Sequence, residues 1–215
     1  MDKVNYQVML DKIIEDIVRS NSLPGLLMHS CCAPCSSYCL SYLAEYFSIT
    51  VLYYNPNISP EEEYYKRVNE QKRLIRELPV KNKISFAEGR YEPAEFFKMA
   101  EGLEDLPEGG ERCFKCYEMR LCEAAAYASL HGFEYFTTTL SVSPHKNAQV
   151  LNKTGLKISE EYGVKYLVSD FKKRGGYQKS IQYSKEYNLY RQDYCGCIFS
   201  KREREERNLD GVKQN

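Results

Sequence analysis

The chain has 215 residues, 43% of them apolar, with thirty basic side chains balanced by thirty acidic ones. That length suits one large domain or two small ones and buries a core without help from disulfides. The neutral total removes any bulk-charge argument for a nucleic-acid partner, and no apolar run approaches the length needed to span a bilayer.

The opening stretch, MDKVNYQVMLDKIIEDIVRS, is charged and amphipathic and has no apolar signal core, so a cytoplasmic protein is expected. Val4, Val8, Ile13, Ile14 and Val18 recur at helical spacing, and Asn21, Pro24 and Gly25 end the helix. Leu26-Leu27-Met28 reads as a buried strand that runs into His29 and the first cysteines. Pro34 to Tyr46 is helical in pattern, and Ile49 to Tyr54 is a second strand stopped by Asn55-Pro56-Asn57. Ser59-Pro60-Glu61-Glu62 combines a capping hydroxyl, a first-turn proline and acids, which predicts a helix running to about Glu77.

Ile84 to Ala87 is a third strand, followed by a helix starting near Pro93. Residues 102–112 read as a flexible loop delivering Cys113, with a helix from there to Leu130. Phe133 to Thr139 is a fourth strand that ends in TTTLSVSPHKN. Ala148 to Tyr162 is helical, Tyr166 to Val168 a short fifth strand, and Lys179 to Tyr187 helical. Residues 200–215 are expected to form a charged tail, solvated or frayed. Strands alternating with helices imply a single α/β domain, a doubly wound and mainly parallel sheet with helices on both faces. Ligands collect beyond the carboxyl ends of such strands. HSCCAPC follows the first strand and TTTLSVSPHKN the fourth, so both belong to that edge.

Seven of the nine cysteines fall into three tight groups: Cys31, Cys32 and Cys35; Cys113 and Cys116; Cys195 and Cys197. In a reducing compartment such groups read as metal-binding or redox thiols rather than structural bridges. HSCCAPC sits at a strand end and helix start, where helix amides favour thiolate, so lowered pKa values are expected there. Cys113 and Cys116 are three apart at a helix start, so their sulfurs share one side. Cys31, Cys32, Cys113 and Cys116 together make four thiolates, which suits a [4Fe–4S] cluster and equally suits zinc. Cys35 is left as a supporting thiol or a ligand to an additional mononuclear metal. Cys195 and Cys197 flank one glycine, where a disulfide closes a small, labile ring, so a reversible dithiol is the functional reading. Cys39 and Cys122 read as packing residues. Nineteen tyrosines and no tryptophan stand out, but a tyrosine fills half-buried surface more often than it stacks on a base.

HSCCAPC, the segment from Tyr54 to Arg67, ERCFKCYEMR, TTTLSVSPHKN and DYCGC occur in this order, and together they resemble the QueH type of epoxyqueuosine reductase from about Leu26 to Phe199. The resemblance implies a fold related to adenine-nucleotide α-hydrolases and a [4Fe–4S] cluster on Cys31, Cys32, Cys113 and Cys116. It implies a redox pair at Cys195 and Cys197. It also implies cobalamin-independent reduction of epoxyqueuosine to queuosine at the wobble position of tRNA, with electrons from an unidentified donor.

For the tRNA, His145 and Lys146 follow the fourth strand, and Lys172, Lys173 and Arg174 precede Gly175-Gly176-Tyr177. Such groups grip phosphates and stack bases. Arg67 and Tyr64 share a helix face and read either as such contacts or as a solvated surface. Three rivals stand beside the reductase. An ATP-using tRNA thiolase needs a paired-glycine phosphate loop after the first strand, and HSCCAPC has none, so no nucleotide cofactor is expected. A zinc-stabilised protein without catalysis and a general thiol–disulfide oxidoreductase remain open on spacing alone.

Overall fold

A computed structural model describes residues 4–212. Its centre is a five-stranded parallel sheet in the order β3-β2-β1-β4-β5. The strands are β1 Gly25–His29, β2 Ser48–Tyr53, β3 Ile84–Glu88, β4 Tyr135–Thr138 and β5 Lys165–Tyr166. The helices are α1 Tyr6–Arg19, α2 Ala33–Leu43, α3 Glu61–Glu77, α4 Pro93–Ala100, α5 Glu111–Leu130, α6 Ala148–Tyr162, α7 Gly176–Glu186 and α8 Ile198–Val212.

Side-chain alternation along β1 divides the core. Leu26 and Met28 face a layer with Leu40 and Leu43 of α2 and Leu74 of α3. Leu27 faces the opposite layer, with Leu121, Ala124 and Ala128 of α5 and Leu151 of α6. Both faces of the sheet are therefore covered, which is why its strands read as apolar runs. Sheet growth runs one way through β2 and β3 and the other way through β4 and β5. The switch point lies beside β1, and a parallel sheet opens a crevice beyond its strand ends there.

Several local expectations change. The buried stripe of α1 is Tyr6, Leu10, Ile14 and Ile17, while Val4, Val8 and Val18 are exposed. Pro60 itself occupies the N-cap of α3, with no side-chain cap. Ser59 works through its backbone instead: its N–H donates to the Gly196 carbonyl at 2.9 Å, and its carbonyl accepts from the Tyr194 hydroxyl at 2.7 Å. The segment 102–112 is tied down rather than free. The buried Arg112 guanidinium donates to the carbonyls of Leu103, Glu104 and Leu106, pairs with Glu203 at 3.3 Å and lies over the Phe199 ring. Glu203 belongs to α8, so the stretch read as a frayed tail continues as helix to Val212. Its alternating Arg and Glu residues hid the helix, because most of them face solvent. Among the described residues no helix is long and apolar enough to cross a membrane.

Candidate active site

The chain leaves β1 at His29, which is fully buried. Its Nε2 faces the Tyr54 carbonyl at 3.1 Å and its Nδ1 the Thr138 hydroxyl at 2.9 Å. A carbonyl only accepts, so Nε2 carries the proton, and the neutral ring ties the ends of β1, β2 and β4 together. Burial, helped by the nearby Arg120 charge, lowers its pKa to about 4.

Three residues on, the backbone turns into α2 with Cys32 at the N-cap. The sulfurs of Cys31, Cys32 and Cys35 lie within 4.8 Å of one another, with Cys31 and Cys32 3.9 Å apart. The expectation that all these thiols are acidified is wrong. Burial pushes Cys32 up, but hydrogen bonds from Cys31 and Cys35 and the Arg67 charge outweigh it and bring Cys32 well below the ordinary range. The reciprocal bonds raise its neighbours: the Cys32 contact lifts Cys31, and the Cys31 and Cys32 contacts lift Cys35 further. At Cys31 and Cys35 those thiol contacts, with burial behind them, outweigh the helix dipole.

The first turns of α5 carry the second group. Cys113, Cys116, Tyr117 and Arg120 are spaced three, one and three apart, on a buried face that continues through Leu121, Ala124 and Ala128 onto the sheet. The Cys113 sulfur accepts from the Gly109 N–H at 3.3 Å. Burial raises the Cys113 pKa and pushes Cys116 up to about 12. Cys113 and Cys116 line an inner cavity together with Cys195 and Cys197. Cys197 directly precedes α8, and its sulfur accepts from the Ser200 N–H at 3.4 Å. Burial also raises its pKa.

The loop of Cys195 and Cys197 is fixed from three sides. Gly196 has φ +126°, a conformation that side chains resist. Arg67 donates to the Cys195 carbonyl at 3.1 Å and pairs with Glu63 at 2.7 Å. Lys146 reaches the Cys195 sulfur at 3.1 Å and the Glu108 carboxylate at 3.0 Å. Burial pulls the Lys146 ammonium down, but the charges of Cys195, Tyr117 and Glu108 hold it well above the ordinary lysine range.

An outer cavity of about 370 Å³ opens above these groups. Cys31, Cys35, Cys195, His145, Lys146 and Tyr177 line it, so the first, third and fourth-strand motifs meet there. Arg174 lies elsewhere: it pairs with Asp11 of α1, and Lys172 pairs with Asp170 at 3.0 Å. Arg67 and Tyr64 are buried, neither solvated nor open to an RNA chain. Cys39 is core, and Cys122 is half-buried and packs against the core layer beneath α5 and α6. The structure therefore groups the thiols as a trio and a quartet. The two sets adjoin, since Cys195 lines the inner cavity and also the outer one, where Cys31 and Cys35 lie. Sequence reasoning passed over Arg120 and Arg112, although each falls on the same α5 face as the cysteines. It also missed Glu108, Arg191 and Asp193 on the outer cavity wall, where loop residues carry no periodic signal.

The family described as "Epoxyqueuosine reductase QueH" matches residues 26–203. The chain belongs to that family. A protein of Staphylococcus epidermidis named epoxyqueuosine reductase QueH is 45% identical over 92% of this chain and 85% of its own length. A namesake from Streptococcus pyogenes is 42% identical over 92% of this chain and 78% of its own. One from Thermotoga maritima is 36% identical over 86% of this chain and 94% of its own. The matched span of the QueH model runs from the start of β1 into α8 and so contains every thiol of the trio and the quartet.

Proposed function

We propose that this chain reduces the epoxide of epoxyqueuosine in tRNA to the alkene of queuosine, without cobalamin. The observation that carries the reading is the convergence of seven thiols, from three distant stretches of sequence, around adjoining cavities with a buried lysine between them. Family membership supplies the substrate.

The chemistry has a simple balance. Converting an epoxide to an alkene breaks both C–O bonds, consumes two electrons and two protons, and releases the oxygen as water. Oxidation of Cys195 and Cys197 to a disulfide releases two electrons and two protons, so this pair suffices for one turnover. An external donor of reducing equivalents then restores the dithiol. Lys146, held between Glu108 and Cys195, places a positive charge where negative charge develops on the departing oxygen. His145 and Tyr177 form walls for the modified base and its backbone. Arg174, 65% exposed at its side chain, stands outside that cavity as a phosphate contact. The dithiol needs a reducing compartment, so the reaction is placed in the cytoplasm.

Soft, buried sulfur donors and an arginine nitrogen with no hydrogen-bond partner both suit an anionic metal–sulfur centre. Cys31, Cys32, Cys113 and Cys116 are the thiolates proposed for a [4Fe–4S] cluster, which when bound supplies single electrons and Lewis acidity. Cys35 supports the first pair. A second reading for the trio rests on the 3.9 Å between Cys31 and Cys32. Two 2.3 Å metal–sulfur bonds at a tetrahedral angle span roughly 3.8 Å, so Cys31, Cys32 and Cys35 also suit one mononuclear ion.

Purification without oxygen, an absorption spectrum and counts of iron, sulfide and zinc test the centre. Iron with matching sulfide, lost on substitution of Cys113 or Cys116, supports the cluster. A colourless zinc protein, or one with no metal, rejects it in favour of a structural zinc or plain thiol–disulfide protein.

A further inference from the structure

Burying a guanidinium is strongly unfavourable unless a negative partner answers it. Three arginines of this protein are 1% exposed: Arg67, Arg112 and Arg120. Arg67 has Glu63 and Arg112 has Glu203. Arg120 has no carboxylate partner among the described residues. Its Nε donates to the Cys116 carbonyl at 3.2 Å and its Nη1 to the Asn55 side-chain oxygen at 3.4 Å. Its Nη2 is buried without a hydrogen-bond partner.

Of the ten residues lining the inner cavity that holds it, four are cysteines and none is a carboxylate. Arg120 lines the inner cavity beside Cys113, Cys116, Cys195 and Cys197, and it is not among the residues of the outer cavity. A nucleotide entering the outer cavity meets Lys146, His145 and Tyr177 first. The negative charge that answers Arg120 therefore belongs to the thiol set and not to a substrate phosphate.

We propose that Arg120 is a positioning residue, the fixed counter-charge of the metal–thiolate centre, and that it raises the reduction potential of that centre. The inference rests on the reading of the thiols as a redox metal site. Reduction adds a negative charge, and a cation held nearby in a water-poor interior favours the reduced form. Asn55 and the Cys116 carbonyl fix the direction of the fork without neutralising it.

The test compares wild type, Arg120→Gln and Arg120→Lys, each purified without oxygen and loaded with iron and sulfide. Potentiometric titration followed by absorption and electron paramagnetic resonance should show R120Q at least tenfold harder to reduce, a fall of about 59 mV for a one-electron couple. R120K, which keeps the charge, should stay close to wild type. An R120Q potential equal to wild type overturns the proposal. Metal retention against a chelator covers the case in which R120Q loads poorly. R120Q should then lose metal faster than R120K, and equal loss from both variants overturns the counter-charge role in favour of guanidinium shape. The two failures separate cleanly. A wild-type chain without iron ends the cluster reading, while the order of metal loss among the variants, iron or zinc, still decides Arg120.

Discussion

Gly196→Ala is the most telling single change. Gly196 lies between the two cysteines of the proposed dithiol at φ +126°, and a Cβ there would stand 3.0 Å from Ile58 Cγ1 and 3.1 Å from Arg67 Nη1. Both contacts are tighter than packing normally allows, so the neighbours must give by a few tenths of an ångström. Backbone strain of this kind costs about 2 kcal/mol. The loop escapes the strain by turning, which breaks the Ser59–Gly196 bond of 2.9 Å and the Arg67–Cys195 bond of 3.1 Å. At about 1.4 kcal/mol per factor of ten, the native loop becomes roughly thirtyfold less populated relative to the turned one. Turnover of epoxyqueuosine should fall, by up to about that factor where the turned loop comes to dominate. Iron content should hold, because the three atoms nearest the added carbon belong to Ile58 and Arg67 and not to Cys113 or Cys116. Steady-state rates and iron analysis on the same preparation check both. A G196A protein with wild-type turnover would refute the claim that this loop conformation positions the thiols.

Cys195→Ser should abolish turnover with the native electron donor; full turnover with that donor and with a chemical reductant removes the dithiol from the mechanism. Arg112→Met strips the bonds to three loop carbonyls and the Glu203 pair, and should cost about 3–5 kcal/mol in urea unfolding while exposing residues 101–110 to protease. An unchanged midpoint contradicts the role given to that hub. His29 is held neutral, with a folded pKa of about 4 against 6.5 unfolded, so its contribution is complete above pH 6.5 and is lost as pH falls toward 4. The loss is about 3 kcal/mol. Unfolding midpoints against pH should therefore slope more steeply in wild type than in His29→Gln between those limits, and parallel curves would show that the ring is not held neutral by its burial.

The sheet was legible because its strands are short apolar runs, and burial on both faces makes them so. Leu26 to Met28 and Ile49 to Tyr53 announce themselves in this way. The site edge was legible because HSCCAPC follows one strand and TTTLSVSPHKN another. What sequence did not carry was charge bookkeeping. Arg67, Arg112 and Arg120 read as surface residues by type, yet each is buried by a partner far along the chain or by sulfur. Nor did it carry the balance of protons among adjacent thiols. The helix start at HSCCAPC argues for acidified cysteines there, and thiol contacts together with burial reverse that at Cys31 and Cys35 but not at Cys32, where two thiols and Arg67 converge. The α8 helix escaped notice because its buried contacts are few and its sequence reads as a solvated run.

The most direct measurement is the nucleoside content of tRNA after reaction. Anaerobic, iron-loaded protein is mixed with tRNA carrying epoxyqueuosine and a low-potential reductant, and the digested nucleosides are separated and weighed by mass spectrometry. The account predicts conversion to a nucleoside lighter by one oxygen that co-elutes with queuosine, and no conversion by the protein lacking Cys113 and Cys116. Epoxyqueuosine left unchanged by a fully loaded, folded protein would contradict it.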